Sequence, residues 1–269
     1  WQAQDGHAVF TLAGNTSGTI AQRTLHVSAT GANRVYDAGT AASVTLGDDR
    51  VAGDVLSVST SGAQFLDKNA GSGKTVVVGG IAKAGQDSAN YVLASTSVNT
   101  TADIARADLV VSGVGAVARA YDGGLGVTIA GTPTVKALGA DVVTVSGSAS
   151  GALLDKNAGQ GKQVTVGGYS IDNANYRLVQ PAGVTVDIAP AVLALNGLAA
   201  VKTYDGSRNV TLTGSASVTG FNGEAVTVLG TGVGRFADKN VGSGKAITVA
   251  GLQSSDANYS IGQQAGLTG

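Results

Sequence analysis

Asp155-Lys156-Asn157-Ala158-Gly159-Gln160-Gly161-Lys162-Gln163-Val164-Thr165-Val166 joins a glycine-rich turn to an alternating apolar run. Its order of residues returns as Asp67-Lys68-Asn69 ahead of Lys74, Val76 and Val78, and as Asp238-Lys239-Asn240 ahead of Lys245, Ile247 and Val249. In each copy the glycines before the second lysine make a turn, and Asn69, Asn157 and Asn240 suit left-handed backbone. Apolar residues then stand two and four places after that lysine. A period of two puts them on one face of a sheet. The copies therefore predict one β module used repeatedly.

Three further anchors recur with it. Ile20-Ala21, Ile104-Ala105 and Ile188-Ala189 lie 84 and 84 residues apart. Tyr36-Asp37, Tyr121-Asp122 and Tyr204-Asp205 lie 85 and 83 apart, as do Ala89-Asn90-Tyr91, Ala174-Asn175-Tyr176 and Ala257-Asn258-Tyr259. Taking Ile-Ala as the boundary gives modules at 21–104, 105–188 and 189–269, the last truncated at its end. Residues 1–20 read as the tail of a preceding module, because Phe10-Thr11-Leu12 precedes Ile20 much as Tyr91-Val92-Leu93 precedes Ile104. Strands are predicted at Asp54-Val55-Leu56-Ser57-Val58, Asp141-Val142-Val143-Thr144-Val145 and Glu224-Ala225-Val226-Thr227-Val228. Others are expected near 24–30 and 91–104 and at their equivalents. The total comes to about six or seven short strands per module, with a single helical turn near 84–90, 170–175 and 253–258. The fold class expected is all-β: a tandem, elongated array of three modules, each an Ig-like sandwich, with a β-grasp-like sheet as the alternative.

Composition narrows the function. Net charge is -1 and charged residues make up 13% of the 269, so no basic footprint for nucleic acid or a membrane surface exists. No apolar run reaches transmembrane length. The 41 glycines lack a three-residue period, which excludes collagen. With no cysteine, a disulfide scaffold is excluded, and the absence suits a long exported chain. A chain opening on Trp1 without Met is expected to be processed or excised from a longer array.

The motifs read as scaffold rather than chemistry. In Tyr-Asp-Gly, the tyrosine is expected to bury its ring, Asp122 and Asp205 to make Asx turns, and Gly123 and Gly206 to take positive φ. The first module has Ala38 at that place, followed by Gly39, so its turn is expected to shift by one residue. Ala70-Gly71-Ser72-Gly73-Lys74-Thr75 resembles the end of a phosphate-binding loop, but Lys68 stands where the first glycine is needed. Gln163 and Ala246 replace the threonine in the other copies. The two histidines, His7 and His26, are unrepeated, and no Gly-x-Ser-x-Gly elbow occurs. No catalytic or cofactor-binding residue is singled out, and an enzyme is not expected. Calcium between modules is the one cofactor considered, through Asp48-Asp49 or the boundary residues Asp103 and Asp187. Asn-x-Ser/Thr patterns at Asn15, Asn99, Asn209 and Asn258 arise readily in a Thr-rich chain.

Taken together, Leu193-x-Leu195-x-Gly197, Lys202-Thr203-Tyr204-Asp205-Gly206, Phe236-Ala237-Asp238-Lys239-Asn240-Val241-Gly242-Ser243-Gly244-Lys245 and Asp256-Ala257-Asn258-Tyr259 resemble the YDG-type repeat of large exported bacterial proteins. The third module matches best and the first worst. Such repeats are similar to those of filamentous-haemagglutinin-like adhesins, which leave Gram-negative cells by two-partner secretion. The resemblance implies a secreted or cell-surface location. It also implies a stalk or biofilm-matrix role that presents a binding region away from the cell, with neighbouring modules as partners and no catalytic residue. The alternative is an array that binds polysaccharide or a host glycan by avidity.

Overall fold

The computed structural model describes residues 18–269. Of the tail expected at 1–20, only the last three residues are described, so His7, Asn15 and Phe10-Thr11-Leu12 lie outside the described residues. The described chain is all-β. Its only helical pieces are two single 3-10 turns, Ser88–Asn90 and Phe221–Gly223. It divides into two compact units, one running to Ala107 together with Leu138–Ala140, the other covering Asp108–Ala137 and Asp141–Gly269.

In the first unit, four strands form a sheet in the order Arg34–Val35, Val98–Ala105, Gly71–Gly79, Gly62–Phe65. Strand Gly71–Gly79 runs antiparallel to both neighbours, with Val76 opposite Phe65 on one side and Thr100 on the other. Val76 and Val78 are fully buried while Val77 between them is partly exposed, which is the expected alternation. Arg23–Leu25 pairs in parallel with Tyr91–Leu93. A parallel pair needs a long crossover, and here almost the whole module is that crossover. Val27–Gly31 pairs with Val44–Asp48, and Ser57–Ser59 with Ala82–Ala84, both antiparallel. Leu25, Leu56 and Tyr91 close a small core beneath them.

The second unit repeats this plan twice. Its five-stranded sheet runs Arg119–Ala120, Thr185–Ala189, Gly159–Gly167, Ser150–Leu153, Gly126–Val127. In the last module Val228–Phe236 pairs with Ile247–Ser254, and each of these continuous strands covers what is two strands in the first module. Ala191–Leu193 again pairs in parallel with the late strand Tyr259–Ile261. Val164, Val166, Ile247 and Val249 are all buried, as their spacing predicts.

Three sequence expectations are corrected here. The first and second modules carry ten and eleven strands, more than the six or seven expected, because glycine bulges break long ribbons into short pieces, while the third has seven. Where Ser112–Ala116 faces Ile129–Thr134, for example, a Cβ on Gly131 would lie 2.3 Å from the Gly113 carbonyl oxygen. Strands begin at Ser57, Val145 and Val228, so Asp54, Asp141 and Glu224 sit in the loops ahead of them. Left-handed backbone falls on the glycines of the second turn, at Gly73, Gly161 and Gly244, and not on Asn69, Asn157 or Asn240.

The first Tyr-Asp turn does not shift. Ala38 itself takes φ +66°, where the other modules use Gly123 and Gly206. An alanine there carries a left-handed penalty that glycine escapes, partly offset by glycine's greater freedom when unfolded. Ala38→Gly is expected to stabilise the first unit by roughly 0.5–1 kcal/mol, read from its urea midpoint.

Candidate functional site: the joint between the second and third modules

The Tyr-Asp turn is held the same way in all three copies. Asp37, Asp122 and Asp205 each accept a hydrogen bond from the backbone N–H two residues on, at 2.8 Å. A basic residue three places earlier pairs with each carboxylate: Arg34, Arg119 and Lys202. The same cation donates to the carbonyl five residues ahead of itself, on Gly39, Gly124 and Ser207. Lys202, backed by the Ser207 N–H, holds the Asp205 carboxyl down to about 2. The Asp-Lys-Asn segment is closed by a second set of ion pairs, Asp67 with Lys74, Asp155 with Lys162, and Asp238 with Lys245. These lysines bind a side chain of their own turn, as a structural turn requires and a phosphate site does not.

The third construction was not singled out from sequence. In each module the tyrosine of Ala-Asn-Tyr donates its hydroxyl proton to an acidic residue: Tyr91 to Asp54 at 2.5 Å, Tyr176 to Asp141 at 2.8 Å, Tyr259 to Glu224 at 2.5 Å. Tyr91 and Tyr259 also accept from a backbone N–H, that of Val51 and of Phe221. The signal was present, since an acidic residue stands at that place in every copy.

In the second unit these constructions meet. Tyr121, from the second module's Tyr-Asp-Gly, donates to Glu224 of the third, 2.8 and 3.0 Å from its two oxygens. Lys156, from Asp-Lys-Asn, forms an ion pair with the same carboxylate and lies 5.9 Å from the Tyr121 ring centroid. Glu224 thus takes two phenols and an ammonium, one phenol from each module plus the lysine. The rings of Tyr121 and Tyr259 meet edge-to-face at 5.2 Å, and Phe221 joins both at 6.4 and 5.6 Å. Such geometry suits the aromatic quadrupole. Beside them Asn258 accepts from the Ala158 N–H at 2.7 Å, and its amide nitrogen donates to the Asn157 side chain at 3.1 Å. Beneath, Tyr121, Val164, Val166 and Ile188 form one continuous apolar cluster with Ala191, Leu193 and Tyr259.

The electrostatics follow from this geometry. Lys156 first, then the Tyr259 and Tyr121 hydroxyls, pull the Glu224 carboxyl down to about 2. The carboxylate in turn holds the Lys156 ammonium well above its ordinary range. Burial, with Glu224 second, pushes the Tyr259 phenol up to about 12. The site can hold two modules in a fixed register.

One expectation about the tyrosines is overturned. Tyr36, Tyr91, Tyr121, Tyr176 and Tyr259 are buried, but Tyr204 is 60% exposed. Its place in the motif matches Tyr121, yet Tyr121 packs both with Val164, Val166 and Ile188 of its own module and with Phe221 and Tyr259 of the following one. The considered calcium ligands are occupied by protein donors: Asp48 by Arg50, Asp49 by the His26 N–H, Asp103 by the Gly73 N–H and Asp187 by the Gly161 N–H. Among the described residues no group of three or more His, Asp or Glu converges.

The chain is a repeat protein in which the signature motifs of the second module seat the third. The YDG domain matches residues 21–98, 105–183 and 189–266. The chain belongs to the YDG-domain family, as three tandem copies. Neither a curated protein nor a solved structure matches it.

Proposed function

We propose that this chain is a structural stalk segment of an exported bacterial adhesin or biofilm matrix protein, presenting a binding region away from the cell. The observation that carries this reading is the joint. Tyr121, Lys156, Asn157, Asn258 and Tyr259 belong to the recurring motifs, and all of them touch across the two modules. A recurring site for a ligand would instead leave its aromatic and charged groups open. Nearest-neighbour interfaces between modules add to stability and limit bending, as in other repeat proteins. The parent is proposed to be filamentous-haemagglutinin-like, secreted by the two-partner route to a Gram-negative surface, without catalytic function or resident cofactor. The glycan-binding alternative draws on repetition alone, and the burial of Tyr121, Tyr176 and Tyr259 leaves it few aromatic faces.

Small-angle scattering tests the stalk. A compact chain of this length has a radius of gyration of about 18 Å. The expected value is well above that, with a skewed distance distribution. A radius near 18 Å would sink the proposal.

A further inference from the structure

We propose that Asn222 is a site of spontaneous deamidation and that its conversion loosens the joint between the second and third modules. This depends on the joint, whatever the parent protein presents. The chain has two Asn-Gly steps, Asn196-Gly197 and Asn222-Gly223. Asparagine is thermolabile, and a glycine after it leaves the next backbone nitrogen unhindered by a side chain. In the reaction the Gly223 nitrogen bonds to the side-chain carbonyl carbon of Asn222. The amide nitrogen leaves as ammonia with the proton that Gly223 gives up. Water then opens the cyclic imide at either carbonyl, giving aspartate or isoaspartate.

The two steps differ in their surroundings. The Asn196 amide donates to the Ala194 carbonyl at 3.0 Å, and its strand, Asn196–Ala200, is paired with Leu212–Ser217. Gly197 is closed in, since a Cβ there would lie 2.2 Å from the Ser215 carbonyl oxygen. Asn222 and Gly223 are both exposed, and nothing lies within 4 Å of a Cβ on Gly223. The Asn222 amide has no hydrogen-bond partner among the described residues. One bond, from the Glu224 N–H to the Phe221 carbonyl at 2.9 Å, closes the turn. Asn222 sits in it at φ +50°, ψ +29°, so the turn has to open before the imide can form. An exposed turn opens at far lower cost than a paired strand.

This turn carries the third module's side of the joint. Phe221 gives its N–H to the Tyr259 hydroxyl, and Glu224 takes Tyr121, Lys156 and Tyr259. Isoaspartate adds a backbone carbon between Phe221 and Glu224 and shifts one against the other. Either product also sets a carboxylate where the Asn222 amide stands, 2.9 Å from a Cβ position on Gly123, beside Asp122 and near Glu224 in the chain. Like charges there repel. The first and second modules have Val51-Ala52-Gly53-Asp54 and Leu138-Gly139-Ala140-Asp141 at this place, which offer the reaction no asparagine.

Incubating the full chain at mildly alkaline pH, followed by tryptic mapping and mass spectrometry, tests this, because peptides 178–202 and 209–235 carry the two steps separately. Asn222 is expected to convert at least about tenfold faster than Asn196, since only Asn196 needs a paired strand to open. Hydrogen exchange of the incubated chain is expected to show lost protection over 185–189 and 259–261. Asn222→Gly cannot react, and it places there the residue that the second module has as Gly139 at φ +57°. It is expected to keep its protection through the same incubation. Conversion of Asn222 no faster than that of Asn196 would overturn the site. Conversion without loss of protection, or an equal loss in incubated Asn222→Gly, would overturn its effect on the joint.

Discussion

Tyr121→Ala is expected to destabilise the second unit by about 3–5 kcal/mol, while Tyr204→Ala changes its stability by less than about 0.5 kcal/mol. The two residues hold the same motif place, so local sequence argues for equal effects. Tertiary surroundings separate them. Removing the Tyr121 ring empties a site between Tyr259, Phe221 and the Lys156 stem, and takes one hydrogen bond from Glu224. Neighbours on a β scaffold cannot collapse fully into such a space, so the cavity adds to the transfer loss. Tyr204 loses a ring already facing solvent. Tyr121→Phe should fall between, because it keeps the ring packing and gives up the hydroxyl. A multi-module chain need not unfold in one step. The measurement is therefore amide hydrogen exchange resolved by segment, with protection read over 185–189 and 259–261. Equal losses for Tyr121→Ala and Tyr204→Ala would refute the joint.

The second large effect is on pH. Glu224 has its carboxyl lowered from 4.5 to about 2 by Lys156 and the two phenols. A group whose folded value is depressed contributes stability above its unfolded value and loses it as pH falls through the folded one. The acid arm of the joint is therefore full above about pH 4.5 and gone near pH 2. Tyr259 works in the other direction. Burial and the Glu224 charge raise its phenol from 10.0 to about 12. Its contribution is complete below pH 10 and lost as pH rises through about 12. Near-UV circular dichroism of the tyrosines should hold a plateau between these limits and fall on both sides. Glu224→Gln removes the charge that pairs with Lys156. Its plateau should be lower, with the acid step much reduced. The turn carboxylates Asp155, Asp205 and Asp238 are also depressed by their lysines, so a residual acid change will remain. An acid step of the same size in Glu224→Gln would show that the turns, not the joint, set it.

Much of the architecture was legible from spacing. Alternating valines after each second lysine predicted the buried face at Val76, Val78, Val164 and Val166, because a strand's side chains alternate whatever the rest of the fold does. The Asx turns at Asp122 and Asp205 were legible for the same local reason. The local readings failed where glycine competed. Flexible glycines four places beyond Asn69, Asn157 and Asn240 absorbed the left-handed geometry at lower cost. At Ala38 the turn's ion pair with Arg34 kept the register, so the alanine took the strained conformation.

The β module, its threefold use, its period and the turns that punctuate it can be read from the chain alone. Each of these rests on interactions between residues close in the chain, or on a periodicity that needs no partner. Which motif residues meet across modules came from the packing of one module on another. Tyr121 and Glu224 are 103 residues apart, and Asn157 and Asn258 are 101 apart. Nothing in either local stretch marks them as partners. They become a site because two modules pack with complementary charge and aromatic edges facing each other, and that complementarity exists only once both are folded.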